Sequence, residues 1–138
     1  MESDILQKSR KEPSLYSPLS LAYLGDAVYE LYVRNRVLCE HEDMHANKLH
    51  LQTVKYVRAH AQSNSIMAIE ERLTEEELAI FKRGRNAKSY TSPKNADIRD
   101  YRRATGFEAL IGYVFLTGNR ERLNELMALA FENAVDQS

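Results

Sequence analysis

The stretch Leu19 to Val33, LSLAYLGDAVYELYV, constrains this chain more than any other. It is apolar on almost every side of a helix, yet it carries Asp26 in its middle and Glu30 one turn later. A helix apolar nearly all round belongs in a protein core. A carboxylate there is costly to desolvate unless it is paired or bound to a metal. The pattern recurs from Ala104 to Thr117, ATGFEALIGYVFLT, where Glu108 is the only charged residue. Two core-type helices, each with a carboxylate that can face inward, point to a divalent-cation site with Asp26 and Glu108 as its ligands. Gly25, Gly106 and Gly112 stand beside those carboxylates and would let two helix backbones approach closely. For either acid alone, a helix cap or a pairing with a buried arginine would be the simpler reading. Two such acids together with a basic segment favour the metal.

The remaining pattern is helical throughout. Ser17-Pro18 is a helix start, with serine as cap and proline at the first position. The first long helix is expected from about 18 to 39 and is broken by EHEDMH. A second helical region follows from about 46 to 72, with a kink at Ser63-Asn64-Ser65. Thr74 and Glu77 form a capping box that opens a third helix, ending near Gly84. GRNAKSYTSPKNAD reads as a loop. A fourth helix is expected from 97 or 98 to 116. Thr117-Gly118-Asn119 makes a turn, and an amphipathic helix closes the chain over 120–134. No strand pair or repeat emerges, so the expected class is all-α, in one domain spanning 1–138.

Composition narrows the function. A single cysteine, Cys39, excludes a disulfide framework and a multi-cysteine zinc site, and suits a reducing cytoplasm. No apolar segment resembles a secretory signal, and the longest nearly apolar run is shorter than the roughly 20 residues a bilayer requires. The expectation is a soluble, cytoplasmic protein. The net charge of −1 conceals an asymmetry. Lys82, Arg83, Arg85, Lys88, Lys94, Arg99, Arg102 and Arg103 face only Asp97 and Asp100, so residues 82–103 carry +6 and the rest carries −7. A local basic patch on an otherwise acidic protein points to a polyanionic partner.

Leu24-Gly25-Asp26-Ala27 and Phe107-Glu108-Ala109-Leu110-Ile111-Gly112 resemble the two active-site segments of the ribonuclease III family, in the family's order and at a similar separation. The resemblance implies an all-α, dimeric enzyme that cleaves double-stranded RNA with magnesium, Asp26 and Glu108 being the catalytic, metal-binding carboxylates. Two further family acids are absent: Ala22 and Thr105 stand in their places. The chain also has no room for the double-stranded-RNA-binding domain of most members. Both absences suit the short Mini-ribonuclease III branch, as does the basic loop Lys82-Arg83-Gly84-Arg85-Asn86-Ala87-Lys88, continued by Ser92-Pro93-Lys94-Asn95. Membership of that branch implies maturation of the ends of precursor large-subunit (23S) ribosomal RNA, with a ribosomal protein or pre-ribosomal particle as a further partner.

A-form RNA is recognised mainly by shape, through phosphates and 2′-hydroxyls. Arg83, Arg85, Lys88 and Lys94 could grip phosphates, and Asn86 and Ser92 could bond hydroxyls. Arg102 and Arg103 could face either the scissile strand or solvent. The dimer interface is expected on the apolar surface of the first long helix. A non-catalytic RNA- or ribosome-binding module is the rival reading, supported by Ala22 and Thr105 and opposed by the two retained inward acids.

Other signals carry less. His41-Glu42-Asp43-Met44-His45 fits the HExxH zinc pattern, but it sits in a polar connection with no distal ligand. His50 and His60 read as surface or half-buried helix residues and Glu30 as structural or solvated. Tyr23, Tyr29 and Tyr32 read as core, and Cys39 as inert.

Overall fold

The computed structural model describes residues 6–88 and 97–136. Among these residues six α-helices form the body: α1 (Pro18–Glu40), α2 (Ala46–Val57), α3 (Ala59–Ile69), α4 (Glu75–Asn86), α5 (Ile98–Thr117) and α6 (Arg120–Glu132). Short 3₁₀ turns at Pro13–Leu15 and Glu70–Arg72 complete it, and no strand occurs among the described residues. Among the described residues, no helix is long and apolar enough to cross a membrane.

Helix α5 is the central element. It packs on α1, α4, α3 and α6. Phe107, Leu110, Ile111 and Val114 enter one core with Tyr29, Val33 and Val37 of α1, Ile66 and Ile69 of α3, and Leu123, Leu126 and Phe131 of α6. The Tyr29 ring meets Phe107 edge-on, with centroids 4.9 Å apart.

The helix ends follow local chemistry. The Ser17 hydroxyl accepts from the Ser20 amide at 3.1 Å ahead of Pro18. The Thr74 hydroxyl accepts from the Glu77 amide while the Glu77 carboxylate accepts from the Thr74 amide, which completes the capping box. Asp97 caps α5 through the Arg99 amide at 2.8 Å. Gly118, at φ 81°, turns the chain from α5 into α6, and Asn119 caps the latter through the Arg122 amide. Glu77 has a second role. It is buried, and Arg122 of α6 donates to its two carboxylate oxygens at 2.7 and 2.9 Å, which fastens α4 to α6.

Three expectations differ from the structure. The 46–72 region breaks at Arg58, whose backbone is extended, and then runs straight through Ser63 and Ser65. The Ser65 hydroxyl donates to the Ala61 and Ala130 carbonyls, so it ties α3 to α6 without kinking α3. Helix α4 continues past Gly84 to Asn86, because Gly84 is a contact with α5 and not a helix terminator. Tyr23, expected in the core, is 83 % exposed, whereas Tyr29 is buried and Tyr32 is half-buried. Leu19, Tyr23, Leu31 and Leu38 form an uncovered apolar stripe on α1.

The histidines need no metal ligation to account for their places. His45 is the N-cap of α2 and His41 the C-cap of α1, so the HExxH residues do not share one helical face. His60, half-exposed on α3, bonds Asp100 of α5 at 2.8 Å through Nδ1 and Asp136 at 3.1 Å through Nε2. Arg103 faces Asp100, and Arg58 faces Asp136. The Asp100 carboxylate, then that of Asp136, raises the His60 pKa above its ordinary value of 6.5. Stabilisation by protonated His60 is therefore complete below pH 6.5 and fades as the pH rises through the raised value. His60→Ala is expected to lower the melting temperature at pH 6 by about 2 °C and have almost no effect at pH 9. An equal loss at both pH values would contradict a charge-assisted latch; thermal melts at the two pH values measure it.

Candidate active site

Asp26 and Glu108 meet because α1 and α5 cross at two glycines. A Cβ placed on Gly25 would overlap the Glu108 carbonyl oxygen and lie 2.7 Å from the Gly112 nitrogen. One on Gly112 would overlap the Leu21 carbonyl oxygen. The helices therefore touch backbone to backbone, closer than the usual 8–10 Å between helix axes would allow. Asp26 follows Gly25 directly, and Glu108 lies one turn before Gly112, so both carboxylates are delivered to the crossing. Gly106 serves another contact: its Cβ would strike the Phe81 ring of α4, and Gly84 opposes it from that helix. Of the three glycines expected to bring the carboxylate helices together, two do so.

The two acids differ in setting. Asp26 is exposed and Glu108 is half-buried. Burial first, then the negative charge of Asp26, pushes the Glu108 carboxyl up to about 8, and the Gln62 side chain of α3 works in the opposite direction. A cation beside the two carboxylates would offset this cost. Where the family resemblance leads to two more acids, Ala22 packs with Leu21, Ile80 and Ala109, and the Thr105 hydroxyl donates to the Tyr101 carbonyl at 3.0 Å. No cluster of three or more His, Cys, Asp or Glu side chains suited to a metal occurs among the described residues. A two-carboxylate donor set fits magnesium, which keeps several waters and is commonly held by one or two carboxylates plus substrate phosphates.

The basic end of α4 lies beside this crossing. Gly84 packs against Gly106 and Ala109, which flank Phe107-Glu108 on α5. Lys88 and Asn86 are exposed there. The Arg85 guanidinium lies 5.5 Å from the centroid of the Phe81 ring, and its Nε donates to Asn86 at 3.1 Å. Arg83 is exposed, yet it donates to the Ser14 and Tyr16 carbonyls at 2.9 and 3.2 Å, which ties the segment before α1 to α4. Lys94 and Ser92 lie outside the described residues. Arg102 is exposed on α5, and Arg103 is half-buried beside Asp100.

One residue at this site escaped the sequence reading. Gln62 is buried on α3 and its side chain faces Glu108. A glutamine in AHAQSNSIMAI carries no local signal that separates it from its polar neighbours.

Comparison with known proteins agrees with this geometry. The family model described as "Ribonuclease III domain" matches residues 19–119, which includes both carboxylates. Proteins named Mini-ribonuclease 3 are 54 % identical over 82 % of this chain and 75 % of the relative in Clostridium tetani. The figures are 49 %, over 84 % and 81 %, in Thermoanaerobacter sp., and 50 %, over 88 % and 90 %, in Brevibacillus brevis. A crystal structure of a Fusobacterium nucleatum protein superposes with a TM-score of 0.78 at 31 % identity, covering 88 % of this chain and 97 % of that one. This chain belongs to the ribonuclease III family, in its Mini-ribonuclease 3 branch, and is an endoribonuclease of double-stranded RNA.

Proposed function

We propose that this endoribonuclease uses magnesium held by Asp26 and Glu108, works as a homodimer, and matures the ends of precursor 23S ribosomal RNA. The observation that carries the metal is the meeting of the two acids at the Gly25–Gly112 crossing. Magnesium bound there would activate water for in-line attack on a phosphodiester and stabilise the departing 3′ oxygen. Asp26 lies at the surface and Glu108 on the inner side, so an ion held between them would be open to the RNA backbone. Lys88, Arg85, Asn86 and Lys94 would hold the duplex by its phosphates and hydroxyls, and Arg83 ties the end of α4 to the segment before α1. Such contacts give binding that weakens steeply with salt.

The exposed stripe Leu19, Tyr23, Leu31 and Leu38 of α1 supports the dimer. Asp26 adjoins this stripe, in a surface hollow it shares with Tyr23, Ala27, Glu30, Leu31 and Arg34. A partner seated there would bring two sites to one duplex, one for each strand. The ribosomal substrate follows from the branch to which the chain belongs, as does a ribosomal protein or pre-ribosomal particle presenting it. Cytoplasmic residence follows from the same substrate.

The test is cleavage of a long RNA duplex and of precursor 23S RNA, in magnesium and in excess chelator. Cuts confined to magnesium, leaving 5′-phosphate ends, are expected on both substrates. Cutting that survives the chelator would overturn the metal, and indifference to the precursor would overturn the ribosomal role. Glu108 must lose its proton to hold the ion, so cleavage at limiting magnesium should rise about tenfold per pH unit and level off above about pH 8. A rate flat from pH 6 to 8 would contradict that coupling.

A further inference from the structure

Gln62 is 2 % exposed, on the face of α3 that packs toward α5. A buried primary amide has two donor hydrogens and an acceptor oxygen to satisfy. Its Nε2 donates at 2.9 Å to the carbonyl of Val57, the last residue of α2. Such carbonyls have no partner within their own helix. That bond fixes which end of the amide carries nitrogen. The same side chain faces the Glu108 carboxylate. Its Oε1 is buried with no partner. An unsatisfied buried acceptor costs roughly 1–3 kcal/mol; a leucine would remove that cost at Oε1 but would take the donor from the Val57 carbonyl. One N–H of the amide caps α2; the second is left for the Glu108 side.

We infer that Gln62 is a positioning residue of the active site, its amide nitrogen shared between the Val57 carbonyl and the Glu108 carboxylate so that Glu108 is held in the orientation that receives the cation. The break at Arg58, between α2 and α3, has a role in this arrangement: it frees the Val57 carbonyl that anchors the amide. The inference rests on the two-carboxylate magnesium site proposed above. Partners of this kind, which orient a metal-ligating carboxylate, typically contribute 10- to 100-fold in metal affinity or activity.

The experiment measures Mn2+ binding to the metal-free full chain by the electron-spin resonance of free Mn2+, alongside cleavage of an RNA duplex. Gln62→Leu removes the donor at similar volume. Gln62→Asn keeps an amide too short to span both partners, and serves if the leucine variant does not fold. Ser63→Ala is the packing control, since Ser63 is equally buried on α3 but faces Asp100. Both Gln62 variants are expected to bind Mn2+ about tenfold more weakly, with KM for RNA unchanged and activity restored by added metal, while Ser63→Ala binds as the unaltered protein does. Gln62 variants that bind Mn2+ within twofold of the unaltered protein, while Asp26→Asn has lost binding, would overturn the role of Gln62 and leave the carboxylate site standing. Equal losses in the Ser63 and Gln62 variants would assign the effect to helix packing and overturn it too. Full binding by Asp26→Asn would remove the carboxylate site, and the role of Gln62 with it.

Discussion

Glu108→Gln is expected to abolish cleavage while making the metal-free protein more stable. On the proposed mechanism, loss of this carboxylate removes several kcal/mol of transition-state stabilisation. About 4 kcal/mol corresponds to a thousandfold slower single turnover. The stability change has the opposite sign. Burial and the neighbouring Asp26 raise the Glu108 carboxyl from 4.5 to about 8, so the folded state opposes its ionisation. For an acid shifted upward, that penalty is absent below about pH 4.5, grows as the pH rises, and is complete above about pH 8. Glutamine has the same shape and no charge, so at pH 8 without metal the variant should gain on the order of 1–2 kcal/mol, allowing for partial solvent screening. Asp26→Asn should lose activity to the same degree and relieve the same repulsion. Thermal melts at pH 5 and pH 8, paired with single-turnover cleavage, measure both effects. A Glu108→Gln protein destabilised at pH 8, or one retaining a tenth of the activity, would contradict this picture. Stability given up where activity needs it is a common feature of active sites.

Gly25→Ala should have the largest effect on folding. One added methyl would enter the backbone of α5 at Glu108 and Gly112, not the end of a flexible side chain. Overpacked cores typically lose about 1–3 kcal/mol, and this site belongs at or beyond the upper end because helix backbone cannot rotate aside. A fall in melting temperature of about 10 °C or more is expected. Any folded remainder should cut RNA poorly, since α1 and α5 would be spread apart and their carboxylates with them. Gly118→Ala makes a useful contrast. Its cost would come from the left-handed backbone alone, because nothing lies within 4 Å of the added carbon. A Gly25→Ala protein as stable as Gly118→Ala would refute the backbone-to-backbone crossing.

Much of this was legible in the sequence because it is written locally. Ser17-Pro18, the Thr74–Glu77 box and Gly118-Asn119 mark helix ends by their own hydrogen bonds. Asp26 and Glu108 stand out as acids within apolar helices, and two of the glycines beside them anticipate the crossing. What escaped depends on partners distant along the chain. Gly84 has the residue type of a helix terminator, yet its place is set by Gly106, 22 positions away. The Arg58 break has no proline or glycine to announce it. Glu77 is recognisable as a cap, but its ion pair with Arg122 joins residues 45 apart. Tyr23 shows a different limit of pattern reading. An apolar helical face states that something covers it, without stating whether the cover is the same chain. Gln62 looks like an ordinary polar residue until Val57 and Glu108 are placed beside it, and the bonds of Arg83 to Ser14 and Tyr16 have no local signal in the sequence.

The most direct single measurement is cleavage of both strands of a long RNA duplex, at saturating magnesium, by the unaltered protein, Asp26→Asn and Glu108→Gln, each first shown to be folded by circular dichroism. The expected result is cutting of both strands by the unaltered protein and a loss of about a thousandfold or more in each variant. Cutting by either folded variant within tenfold of the unaltered protein would contradict a catalytic centre built from these two carboxylates.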